Sequence, residues 1–106
     1  MSKFLLVYHS SADAPPMDGP PDPDVMAAWG AWFGELGPSV VDGGNPTGES
    51  ATVASDSSSS PGGGANPATG YSLIDADDLP DAIAKARGCP VLKGGGSVEV
   101  CATVDI

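Results

Sequence analysis

The chain has 106 residues, with 14 acidic against 4 basic side chains, a net charge of −10 and 41% hydrophobic residues. That length builds one continuous core, not two, and so acidic a surface excludes a nucleic-acid binder or a protein held on anionic membranes. Gly and Pro, 15 and 11 in number, bring the composition near the low-complexity range, so where they fall decides what can pack.

After Met-Ser-Lys the chain enters Phe4-Leu5-Leu6-Val7-Tyr8. This run is too short for a signal segment or a spanning helix, and the expected location is cytoplasmic. Residues 3–9 read as a first strand, β-branched and aromatic. Alternation puts Phe4, Leu6 and Tyr8 on one side and Leu5, Val7 and His9 on the other. Residues 10–24 hold five prolines, four aspartates and no basic side chain, which predicts an extended acidic loop. Val25, Trp29, Trp32, Phe33 and Leu36 then recur at helical spacing behind a cap at Asp22 or Asp24, and Gly37-Pro38 ends the helix.

Residues 39–42 read as a short second strand closed by Gly43-Gly44. Residues 43–70 contain seven Gly, six Ser and three Pro. Within them 50–55 predicts a further short strand. Ser57-Ser58-Ser59-Ser60-Pro61-Gly62-Gly63-Gly64 has nothing to bury and is expected to be mobile. The flexible loops are thus placed near 10–24 and 56–69. Residues 70–75 form the next strand. Asp77 or Asp78 caps a second helix that tolerates Pro80 in its first turn. Its apolar stripe is Leu79, Ala82, Ile83 and Ala86, with Lys85 and Arg87 favouring its negative end. Gly88 and Pro90 stop it, and residues 97–104 alternate as a last strand.

The order strand, helix, strand, optional strand, strand, helix, strand predicts an α+β fold. It is a ferredoxin-like split βαβ sandwich: one antiparallel sheet with two helices on one face, as a single domain over residues 1–106. Helices on one face leave the other open, yet Leu5 and Val7 are apolar there. A homodimer stacked on these sheet faces is the expected solution; an extra strand or folded loop over that face is the alternative. Cys89 and Cys101 fit neither a zinc spacing nor a C-x-x-C pair and read as reduced thiols.

Phe-Leu-Leu-Val-Tyr-His at 4–9, Gly-Tyr-Ser-Leu-Ile-Asp-Ala-Asp-Asp-Leu-Pro-Asp-Ala-Ile at 70–83, Gly-Cys-Pro at 88–90 and Gly-Gly-Ser-Val-Glu-Val at 95–100 together resemble the YCII-related family, in its DGPF branch. The resemblance covers roughly two-thirds of the chain, both ends and the second helix. It implies a dimeric α/β barrel of ferredoxin-like protomers. A few relatives of that family are small enzymes acting on chlorinated aromatic ring compounds. Two family elements are missing: the Asp-Gly-Pro-Phe motif, replaced by the 57–64 insertion and residues 65–69, and a histidine on the first helix. Activity routed through those two elements is not carried over.

The chain has one histidine, His9. In a split βαβ sheet the end of strand one meets the starts of the strands at Tyr71 and at 97–99, and the end of strand two at Asp42. His9 and Glu99 are then a candidate acid–imidazole pair for general acid/base work. Asp42 is an alternative acid, and Asp42 and Tyr71 are candidate substrate-binding residues. The plainer account is a hydrogen-bonded histidine at a strand end beside a glutamate that guards an edge strand against aggregation.

No cofactor or metal is predicted. Gly62–Gly64 and Gly94–Gly96 lack the Lys-Ser/Thr of a phosphate loop, and Asp13, Asp18, Asp22 and Asp24 lack calcium-loop spacing. Two functions remain. One is a small cofactor-independent enzyme binding a small organic molecule; the other is a non-catalytic dimeric module for a small molecule or a protein.

Overall fold

A computed structural model describes residues 2–11, 23–64 and 66–104. Among the described residues, six strands and two α-helices follow in the order β1 (Ser2–His9), α1 (Pro23–Leu36), β2 (Val40–Asp42), β3 (Ala51–Val53), β4 (Ser59–Pro61), β5 (Ala68–Ala76), α2 (Leu79–Ala86) and β6 (Ser97–Ala102). The main sheet runs β2-β5-β1-β6, antiparallel throughout. That is the expected α+β order of a split βαβ unit. The molecule is 19 Å through its thin dimension, the depth of one sheet and one helix layer at about 10 Å each. Among the described residues no helix is long and apolar enough to cross a membrane.

The two sides of β1 separate as alternation requires. Phe4, Leu6 and Tyr8 are buried under the helices with Ile74 and Ala76 of β5. Leu6 and Ile74 are wholly covered, each contributing about 1.5–3 kcal/mol. Trp32 and Leu36 are the buried residues of α1, with Trp29 and Phe33 partly buried against them. Tyr8, Trp29 and Trp32 stack edge to face, with centroids 4.8 to 6.2 Å apart. Val25, expected on this stripe, is 48% exposed. Proline is tolerated at the first helical position, which is where Pro23 starts α1. Gly37, at φ +54°, closes it in the left-handed conformation. Most of the acidic loop expected over 10–24, Asp22 included, lies outside the described residues.

The short strand expected over 50–55 is present as β3, and the Ser-rich stretch after it, expected to be a mobile loop, carries a strand of its own, β4. β3 and β4 pair as a hairpin with Ala51 opposite Pro61 and Val53 opposite Ser59. Residues 54–58 join the strands; the Ala54 amide donates to the Ser58 carbonyl at 2.7 Å, which leaves a loop of three residues with Ser57 at φ 72°, the left-handed position of such turns. The Asp56 carboxylate accepts from the Ser58 amide at 2.9 Å and hydroxyl at 2.6 Å, which also holds its carboxyl below the usual range. Local side-chain bonds, not burial, build this hairpin.

α2 starts as the sequence predicts. The Asp78 carboxylate accepts from the Asp81 amide, while the Asp81 carboxylate accepts from the Asp77 amide and from Lys85 Nζ, all within 2.9 to 3.0 Å. The Asp77 N–H first, and Lys85 second, hold Asp81 below the usual carboxylate range. A depressed carboxylate contributes stability above its unfolded-state value and loses it as pH falls through the folded one. Helix content by circular dichroism is therefore expected to drop below about pH 4, and the Asp81→Asn variant to show a smaller acid step.

Candidate functional site

The face of the sheet away from the helices is built from alternate residues of three strands. β1 gives Leu5, Val7 and His9; β5 gives Tyr71 and Leu73; β6 gives Glu99 and Cys101. The cross-strand register sets Val7 beside both Tyr71 and Glu99, and Leu5 beside Leu73 and Cys101. Every one of these residues except Glu99 is half-buried, since a pleated face shields its own side chains.

His9 sits where this face ends. The β1–β5 register shifts between Tyr8 and His9, and such bulges re-aim a side chain. On the other strand His9 is level with Ser97, so Glu99 is its diagonal neighbour on the same face. Its Nε2 lies 3.1 Å from Glu99 Oε1, and its Nδ1 lies 2.9 Å from the Asn66 carbonyl oxygen. Gly96 permits the approach of the turn before β6, because a Cβ there would stand 2.5 Å from the His9 carbonyl oxygen.

These contacts restrict the proton count. A carbonyl oxygen has no proton to give, so Nδ1 carries the hydrogen and donates it to Asn66. In a neutral ring Nε2 then presents a lone pair to Glu99. The contact is satisfied when one proton is shared by the two groups, as imidazolium–carboxylate or as imidazole–carboxylic acid. With the His9 and Glu99 side chains 21% and 61% exposed, the pair adds only about 0–1 kcal/mol to stability. Its chemical feature is an imidazole held in one orientation between a carbonyl oxygen and a carboxylate.

The other two candidate residues are placed differently. Tyr71 lies beside Val7, one strand from His9, and its hydroxyl is 3.4 Å from Asn45 Nδ2, which donates to it. Asp42 is not brought to His9. It pairs with Leu73, which pairs with Leu5, about 13 Å short of His9 along the strands. Its carboxylate instead accepts from the Gly44 amide at 2.9 Å. The physical reason is that β2 is three residues long and its register slips between Val40 and Asp42, so it borders the middle of β5.

Two contributors escaped the sequence reading. The Cys101 thiol donates to Glu99 Oε2 at 3.5 Å, so both oxygens of Glu99 are engaged. Burial, then the bond and charge of Glu99, raise the Cys101 thiol above its ordinary value, which leaves it a donor and not a nucleophile. The i, i+2 spacing of Glu99 and Cys101 on a strand was the available signal. The Asn66 carbonyl had none, because backbone groups of a loop leave no mark in side-chain pattern. No family model, curated protein or solved structure matches the chain. Among the described residues, no group of three His, Cys, Asp or Glu side chains is arranged to hold a metal. Both cysteines are free thiols, and burial pushes Cys89 up to about 11.

Proposed function

We propose that this chain is a YCII-related, cytoplasmic protein of the dimeric α/β-barrel kind. In it a small organic molecule binds on the open sheet face and exchanges a proton with His9. One observation carries the reading: His9 stands between a carbonyl acceptor on Nδ1 and Glu99 on Nε2, 3.1 Å away. The carbonyl sets the tautomer and Glu99 balances the ring's charge at Nε2; the ligand exchanges its proton with His9 through the more exposed Glu99 carboxyl, or by taking the place of Glu99 at Nε2. Cys101 holds Glu99, and the Tyr71 hydroxyl orients the ligand. A second copy laid on Leu5, Val7 and Leu73 covers the apolar floor. Stacked sheets stand about 10 Å apart, which excludes water from the pair without burying it in the protomer core. The half-buried aliphatic floor also favours the second reading, a dimeric binding module without catalysis.

The experiment is a thermal-shift screen of small organic molecules, followed by turnover assays on those that stabilise. Under the enzyme reading His9→Asn and Glu99→Gln each lower turnover of a hit by about 10²-fold or more while the melting temperature barely moves. Binding that survives both substitutions, with no turnover in the wild type, leaves the module. Sedimentation at micromolar concentration showing only a 10.4 kDa species sinks the dimer in either case.

A further inference from the structure

The apolar stripe of α2 is only half closed. Ala82 and Ala86 are buried, but Leu79 is 44% exposed, Ile83 37%, and Leu92, on the 3₁₀ turn Pro90–Gly94, 41%. Between them runs an open groove of about 220 Å³ lined by Ile83, Ala86, Arg87, Leu92, Val98 and Val100. Val98 and Val100 stand opposite Tyr8 and Leu6 in the β1–β6 register, which places the groove on the helix side of the sheet. His9 and Glu99 are on the other side, so the groove is independent of the acid–imidazole pair.

Charge singles out the same place. The four basic residues are Lys3, Lys85, Arg87 and Lys93, and three of them fall on the α2 to 3₁₀ segment that borders the groove. Lys85 is bound to Asp81, and among the described residues no carboxylate lies within ion-pair distance of Arg87. On a surface of net charge −10 an anion is repelled almost everywhere. Here an aliphatic trough ends on a guanidinium, whose fork of donors matches a carboxylate. The shape sets the rest: the trough is open and apolar, so it suits a short flexible aliphatic chain lying along it.

We propose that the groove binds a small amphipathic carboxylate, with its apolar body on Ile83, Leu92, Val98 and Val100 and its head at Arg87. Such a ligand would also close the part of the α2 stripe that the fold leaves open.

Amide chemical shifts of the full chain, titrated with octanoate, octanol and octylamine, test this. Octanoate is expected to give saturable shifts clustered on the groove residues, with roughly five-fold tighter binding than octanol and octylamine weakest. Arg87→Gln should reduce octanoate to the level of octanol and leave octanol unchanged, while Arg87→Lys keeps part of the preference. Arg87 is exposed, and matched circular dichroism spectra establish that each variant folds. Octanol or octylamine binding as tightly as octanoate overturns the proposal. So does an octanoate preference that survives Arg87→Gln, or the absence of saturable shifts up to roughly 10 mM. Groove shifts that follow protein dilution, with no response to octanoate, overturn it in favour of a second copy.

Discussion

Ser72→Ala is expected to lower the unfolding free energy by about 2–3 kcal/mol, a large change for one hydroxyl. Ser72 is wholly buried in the middle of β5. Its oxygen accepts from the Tyr8 hydroxyl at 2.7 Å and its hydrogen goes to the Gly43 carbonyl at 2.7 Å. One side chain thus satisfies the core's phenol and ties the turn after β2 to the sheet. Alanine leaves the Tyr8 hydroxyl without a partner among Trp29 and Trp32, and the cost is that of a stranded buried donor. Tyr8→Phe combined with Ser72→Ala removes both ends, so the double variant should lose less than the two single losses added, by about 1 kcal/mol. Urea melts of the four proteins check this.

The same phenol predicts alkaline behaviour. Burial pushes Tyr8 up to about 12, with the Ser72 bond pulling the other way. Its folded-state value lies above the unfolded one, so its contribution is complete below about pH 10 and is lost as pH rises towards the folded value. The wild type should lose stability over that interval, and Tyr8→Phe should lose less.

Gly44→Ala is expected to cost about 3 kcal/mol or more. Gly44 has φ +72°, and a Cβ there would stand 1.8 Å from the Tyr71 carbonyl oxygen and 2.7 Å from its carbon. The conformation alone disfavours a side chain by about 1 kcal/mol. The clash is with backbone, so no rotamer relieves it and the turn after β2 must move away from β5. That movement breaks the Tyr71 amide bond to the Asn45 carbonyl, 3.3 Å, and displaces the Asn45 side chain from the Tyr71 hydroxyl. Denaturant titration measures the loss; the spectrum of the Tyr71 ring should change with it. Gly43→Ala is the control, since nothing lies within 4 Å of a Cβ there.

What the sequence made legible followed from period and topology. Alternation in β1 separated Leu6 from Val7, and split βαβ order brought Glu99 to the end of β1, because sheet order and strand direction fix which ends meet. Three features were not legible. The strand at 50–55 was expected, but its partner β4 was not: that hairpin rests on Asp56 accepting from Ser58 and on Ser57 in a left-handed conformation, whereas Ser-Gly composition alone suggests a linker. Asp42 fell short of His9 because a register slip in a three-residue strand has no side-chain signature. The apolar stripe of α2 is present, but only its alanines are buried; Leu79 and Ile83 are left at the rim.

Glu99 rides on β6, a strand bonded on one side only, to β1. Among the described residues its amides alternate between that partner and no strand at all, so β6, like the shorter β2 at the opposite edge, is held by backbone bonds on one side alone. Amide exchange should therefore detect a subglobal opening in which β6 peels away while β1 and β5 stay paired. In that opened state His9 keeps its ring and its Asn66 bond but has lost its carboxylate. The lifetime of the acid–imidazole pair is then set by how long one edge strand stays attached, and anything that covers that edge prolongs it.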